Sequence, residues 1–130
     1  MFSKACEYAI KSVIYIAQEA LAGKKTNVKQ IAEATNAPEA FVAKILQPLS
    51  KKGILISNKG KQGGFSVELD KIDKIKLIEI VLATDGPDIL TRCAFGLEKC
   101  TSEKPCPFHD KFKGIREELR DSLSEISVYD

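Results

Sequence analysis

Between residues 27 and 64 two short apolar stripes are joined by a three-residue break and followed by a glycine-rich, basic stretch, an order that few folds accept. In Asn27-Val28-Lys29-Gln30, Asn27 can cap a helix and Gln30 can return the bond, as in a capping box. Val28, Ile31, Ala32 and Thr35 then line one face of that helix. Asn36-Ala37-Pro38 breaks it, and Pro38 suits the first position of the next helix because its missing N–H would be unpaired there. Phe41, Val42, Ile45, Leu46 and Leu49 form the apolar stripe of a second helix running to Lys52, with Glu39, Ala40, Ala43, Lys44, Gln47 and Lys51 outside it. Pro48 removes the bond to the Lys44 carbonyl and is expected to kink the last turn. Apolar-rich runs at 54–57 and 65–69 flank Asn58-Lys59-Gly60-Lys61-Gln62-Gly63-Gly64, which reads as a hairpin with a basic tip. Helix, turn, helix and lysine-tipped hairpin together predict a winged helix-turn-helix.

The flanking sequence completes a mainly α chain with a small β-hairpin wing. Ile10, Val13, Ile14, Ala17 and Leu21 recur at helical spacing, so 6–22 reads as a helix ended by Gly23. Leu77, Ile78, Val81 and Leu82 mark another over 76–84, stopped by Asp85-Gly86-Pro87. Residues 88–107 hold three cysteines, two prolines and a glycine, and read as a loop that needs something to hold it. Ile115, Leu119, Leu123 and Ile126 space a final helix over 110–128. The expected organisation is a winged helix-turn-helix at 1–84, a cysteine-rich loop at 85–109 and a closing helix within 110–130. At 130 residues the chain suffices for one hydrophobic core but not two.

Charge is divided unequally. Residues 1–64 carry ten lysines against four glutamates, a balance of +6, while the remainder carries ten basic and fourteen acidic residues, a balance of −4. Such asymmetry points to a polyanion-binding first half. Double-stranded DNA fits: Glu39, Ala40, Ala43 and Lys44 would face the major groove from the second helix, with Asn27 nearby. Lys59, Lys61 and Gln62 at the hairpin tip would lie against phosphates or in a minor groove. The longest apolar run, 78–83, is broken by Glu79 and is far short of the ~20 residues of a bilayer span. With no apolar stretch before Lys11 to suggest a secretory signal, the expected location is the cytoplasm.

Cys93, Cys100 and Cys106 are separated by six and five residues, and His109 follows after two more. In a cytosolic protein such clustering points to metal binding or redox chemistry rather than a disulfide framework. Structural zinc favours thiolate pairs two to four residues apart, and none occurs here. Iron-sulfur clusters take looser spacing and accept histidine in place of a thiolate. The loop is expected to be ordered with a cluster in place and mobile without it, biasing the DNA-binding parts. Cys6, alone on the first helix, reads as a small packed residue. An enzyme is not expected, since there is no Cys-x-x-Cys pair on a βαβ pattern, no phosphate-binding glycine loop ahead of a helix, and one histidine.

Four features resemble the Rrf2 family of winged-helix regulators over nearly the whole chain: Glu7-Tyr8-Ala9-Ile10, Ile31-Ala32-Glu33, the wing Lys59-Gly60-Lys61-Gln62-Gly63-Gly64-Phe65, and the cysteine loop. The resemblance implies a transcriptional regulator, commonly a repressor, that pairs as a homodimer through its C-terminal helix on a palindromic operator. It implies an iron-sulfur cluster on Cys93, Cys100 and Cys106 that senses redox state, nitric oxide or iron-sulfur status. The fourth ligand in relatives is either a histidine at the place of His109 or a carboxylate from the partner's first helix, at the place of Glu7. The first cysteine gap is one residue longer than in close relatives, which leaves the cluster type open between a two-iron form, the favoured one, and a four-iron form. Ala40 and Ala43 stand where base-reading polar residues often lie, and Lys61-Gln62 where many wings have proline and glycine. The alternative is a cluster-free regulator of the same fold that responds by thiol chemistry or a small ligand.

Overall fold

The computed structural model describes residues 2–58, 64–86 and 109–129. Helix α1 (Lys4–Leu21) starts at Ser3, whose hydroxyl accepts from the Cys6 amide at 3.0 Å. That cap sets the start two residues earlier than apolar spacing alone suggests. Cys6, Ala9, Val13, Ile16, Ala17 and Ala20 are buried along one side. Gly23, at φ 78°, closes the helix in a conformation that disfavours other residues, and the Lys24 amide donates back to the Glu19 carbonyl at 2.8 Å.

Helix α2 (Val28–Thr35) opens with the expected capping box: Gln30 N–H donates to Asn27 Oδ1 at 2.8 Å, and Asn27 N–H to Gln30 Oε1 at 3.0 Å. Asn36, left-handed at φ 56°, ends it. Helix α3 (Glu39–Lys51) begins one residue later than expected. Pro38 stays extended, at ψ 141°, and lends its carbonyl to the Val42 amide at 3.0 Å, so it flanks the helix. Pro48 lies inside α3, which continues to Lys51. Val42, Ile45, Leu46 and Leu49 are buried as the stripe requires, and Phe41 is half-buried, edge-on to Tyr8 at 5.6 Å.

The hairpin has the predicted order but shorter strands: β1 (Ile56–Asn58) pairs antiparallel with β2 (Gly64–Ser66), with Ser57 opposite Phe65. Ile54 and Leu55 do not join β1, because both amides donate to the Leu49 carbonyl, at 3.0 and 3.3 Å, and both side chains enter the core. Val67 is buried just past β2, and Leu69–Lys71 forms a 3-10 turn.

Helix α4 (Leu77–Thr84) packs against α1 and against the C-terminal helix α5 (His109–Glu125). The final helix ends three residues before the expected 128. The backbone of 126–128 instead pairs with 75–77: Leu77 N–H donates to Ile126 O at 3.0 Å and Val128 N–H to Ile75 O at 2.8 Å. The first amide of α4 has no partner within its own helix, and Ile126 supplies one. Val128 thereby joins the main core with Val13, Ile16, Ile31, Leu46 and Ile80. A second, smaller cluster holds Cys6, Val81 and Leu123, with Leu119 against it. No helix among the described residues is long and apolar enough to cross a membrane.

Candidate nucleic-acid interface

The buried stripe of α3 forces its other face outward at the N-terminal end. Glu39, Ala40 and Lys44 are exposed there, and Ala43 is half-buried beside the stripe. Small side chains at 40 and 43 leave the helix backbone close to whatever lies against it. Lys29, Ala32 and Glu33 of α2, with Asn36 just past its end, share an open groove of about 470 Å³ with Glu39. Ion pairs join Lys4 to Glu7 and Lys71 to Glu68. Lys24, Lys25, Lys29 and Lys44 form no ion pair with a carboxylate among the described residues, although Glu33 and Glu39 line the groove beside Lys29.

Asn27 is exposed, but its side-chain oxygen is committed to the Gln30 amide, which leaves only its NH2 group for an outside acceptor. Lys29 is not among the residues that the sequence pattern singles out. The signal it offers is its place two residues after the capping residue, on the side of α2 left bare by the apolar stripe.

Thr26, just ahead of the α2 cap, joins the hairpin to the helix-turn-helix. Thr26 is buried and forms a bridge with Phe65, and the Thr26 hydroxyl also approaches the Phe65 carbonyl at 3.4 Å. Gly64 lies so close that a Cβ there would stand 2.6 Å from the Thr26 carbonyl oxygen. The strand leading to the tip thus takes its place from the residue that precedes the α2 cap. The tip residues Lys59, Lys61 and Gln62 lie outside the described residues.

Cys93, Cys100 and Cys106 also lie outside them. What the structure describes are the two ends of their segment. Asp85, just past α4, accepts from the Ser3 amide at 3.1 Å and from the Ser3 hydroxyl, which ties the end of α4 to the start of α1. His109 is the first residue of α5. Glu7 sits in the first turn of α1, 3.5 Å from Lys4 in an exposed ion pair. Cys6 is fully buried, and burial pushes its thiol above the usual range; a hydrogen bond with Thr84 opposes this and the charges of Asp85 and Glu7 add to it. A neutral, enclosed thiol is a packing group, as expected for Cys6.

Burial along the apolar stripe of α5 is uneven. Leu123 is buried against Val81 and Cys6, whereas Ile115 is 45 % exposed. Leu82, Ile126 and Tyr129 add further apolar surface open to solvent.

The fold is matched across the full chain by solved structures. The structure of CymR (YrzC), described as the global cysteine regulator of B. subtilis, superposes with a TM-score of 0.82 at 20 % identity, covering 100 % of this chain and 94 % of that one. IscR of T. potens superposes at 0.74 with 19 % identity, covering 100 % of this chain and 84 % of that one. Among curated proteins, a putative HTH-type transcriptional regulator of Aquifex aeolicus is 28 % identical over 132 aligned positions, 100 % of this chain and 90 % of that protein. The family model described as Rrf2, iron-dependent transcriptional regulator, matches residues 2–130. The chain belongs to the Rrf2 family of winged helix-turn-helix transcriptional regulators.

Proposed function

We propose that this regulator binds a palindromic DNA operator as a homodimer and represses transcription, with its affinity set by an iron-sulfur cluster held in the cysteine segment. The carrying observation is the exposed N-terminal end of α3, bearing Lys44 and flanked by Lys29, in a chain whose family is described as iron-dependent. Lys44 can donate to guanine acceptors, and Ala40 and Ala43 can meet thymine methyls. Glu39 can accept from a cytosine amino group. Lys59, Lys61 and Gln62 at the wing tip supply phosphate or minor-groove contacts.

Three thiols and an imidazole form a donor set suited to a cluster, preferably of two irons, with four as the other form. Cys93, Cys100, Cys106 and His109 would hold it, or Glu7 of the partner subunit in place of His109. When bound, such a group supplies a redox-labile centre. The chain's own residues do the coupling: Asp85 ties one end of the segment to α1 through Ser3, and His109 opens α5 at the other. A change in the segment therefore bears on how α5 sits against α4. The apolar Ile115, Ile126 and Tyr129 surface supports pairing of two subunits, so a shift of α5 resets the spacing of two α3 helices.

Iron and acid-labile sulfide, measured with the visible spectrum of anaerobically purified protein, test this reading. The expected result is iron and sulfide in equal amounts, both lost in Cys100→Ala while the far-ultraviolet circular dichroism is kept. Colourless, iron-free protein would favour a thiol-based or small-ligand regulator of the same fold.

A further inference from the structure

The surface between α3 and the wing presents Lys25 and Lys29, with Glu33 and Glu39 lining the groove beside Lys29, and its lysines are placed by contacts made for other reasons. Thr26 is buried and bonded to Phe65, while Lys25 and Asn27 on either side of it are exposed. Neighbours in an extended segment point to opposite sides, so burying Thr26 turns Lys25 and Asn27 outward together. Two residues on, Lys29 is exposed and shares the groove with Glu39, the first residue of α3. On one flank this ribbon meets the root of the wing through Thr26 and Gly64; on the other it meets the start of the recognition helix. Neither lysine forms an ion pair with a carboxylate among the described residues, so both remain available to a phosphate.

A winged helix-turn-helix places its recognition helix in the major groove and its wing against the adjacent minor groove or its phosphates. The one feature of duplex DNA that borders both grooves is the sugar-phosphate strand between them. Whatever part of the protein lies between helix and wing must face that strand. We infer that Lys25 and Lys29 form a phosphate clamp on the strand separating the two grooves, a contact set distinct from the base-facing side of α3 and from the wing tip. This rests on the reading of α3 and the wing as the DNA-binding elements. The clamp adds affinity and orientation without reading sequence, because phosphate contacts are the same for every base pair.

The test compares wild type, Lys25→Gln, Lys29→Gln, the double variant and Lys74→Gln. Lys74 is exposed on the turn before α4, so its change is an equal loss of charge elsewhere on the surface. Affinity is measured against salt concentration on a duplex selected from a randomised pool and on sonicated genomic DNA. Each clamp lysine removed is expected to make the log–log salt slope shallower by about one per bound subunit. Both duplexes should weaken by the same factor, leaving selectivity unchanged, while Lys74→Gln keeps the wild-type slope. A double variant that keeps the wild-type slope, or that changes no more than Lys74→Gln, overturns the clamp. Loss of selectivity at an unchanged slope overturns it too, since the lysines would then read bases. Absence of salt-dependent binding by wild type would instead overturn the DNA-binding reading on which the clamp rests.

Discussion

Thr26 and Phe65 exchange two backbone hydrogen bonds, the Thr26 amide donating to the Phe65 carbonyl at 3.1 Å and the Phe65 amide to the Thr26 carbonyl at 2.6 Å. They are 39 residues apart, and between them lie the whole helix-turn-helix and the first strand of the hairpin. Through this pair, the strand leading from the wing is tied to the residue just ahead of the α2 cap, in addition to its pairing with β1.

Gly64→Ala should therefore damage the wing more than a one-carbon change usually does. The new Cβ would meet the Thr26 carbonyl, a backbone atom with little room to move, at a φ of +155°. The expected cost is about 1–3 kcal/mol of stability by denaturant unfolding. Duplex binding should weaken as well, with the helical circular dichroism kept. Unchanged stability and binding would show that the bridge does not position the wing.

Lys44→Ala should relax sequence preference more than it lowers overall affinity. A side chain donating to guanine is worth about 1–3 kcal/mol of discrimination at its base pair. Selection from a randomised duplex pool with wild type and variant is the measurement. One position of the recovered site should lose its guanine bias while the others keep theirs.

The helix-turn-helix is largely legible in the amino-acid sequence. Capping chemistry at Asn27 and Gln30 and the stripe from Phe41 to Leu49 are local patterns, and local patterns survive into the fold. Long-range pairings are not legible. Nothing in the strings around Thr26 and Phe65 or Ile75 and Val128 marks them as partners, because those bonds join backbone groups that almost any residue type offers. Ser3 and Asp85 do meet through side chains, but a serine and an aspartate 82 residues apart carry no local pattern. The ends of the strands and of α5 differ from expectation for the same reason. Leu55 has a β-type side-chain pattern around it, yet its amide is taken by the end of α3. Within the site, Lys44 and Glu39 are visible from periodicity, whereas Lys25 and Lys29 stand out only once the wing is placed.

Cys6 makes stability depend on alkaline pH. Its thiol is held protonated in the folded chain above the ordinary value of 9.0, chiefly by burial. Once the pH exceeds that value the unfolded chain loses the proton and the folded chain does not, so folding stability falls as pH rises beyond about 9 and is unaffected below. Denaturant titrations across this range should show a steeper decline for wild type than for Cys6→Ala. Equal slopes would mean that the thiol titrates alike in both states.

Ile115→Asp should separate the subunits of the proposed dimer. Its side chain is 45 % exposed and takes no part in the cluster of Leu123 and Val81, so a charge there disturbs pairing and not the monomer core. Sedimentation at micromolar concentration should show a monomer with unchanged circular dichroism, and duplex affinity should fall. A dimer that persists would place the interface elsewhere.

The coupling of iron to DNA is tested most directly on one anaerobic preparation, by measuring duplex affinity before and after iron is stripped with a chelator and again after iron and sulfide are restored. A change of at least tenfold that reverses on restoration is expected, since about 1.4 kcal/mol of coupling corresponds to that factor. Identical affinity in all three states, with iron verified as present, absent and present again, would contradict control by the cysteine segment.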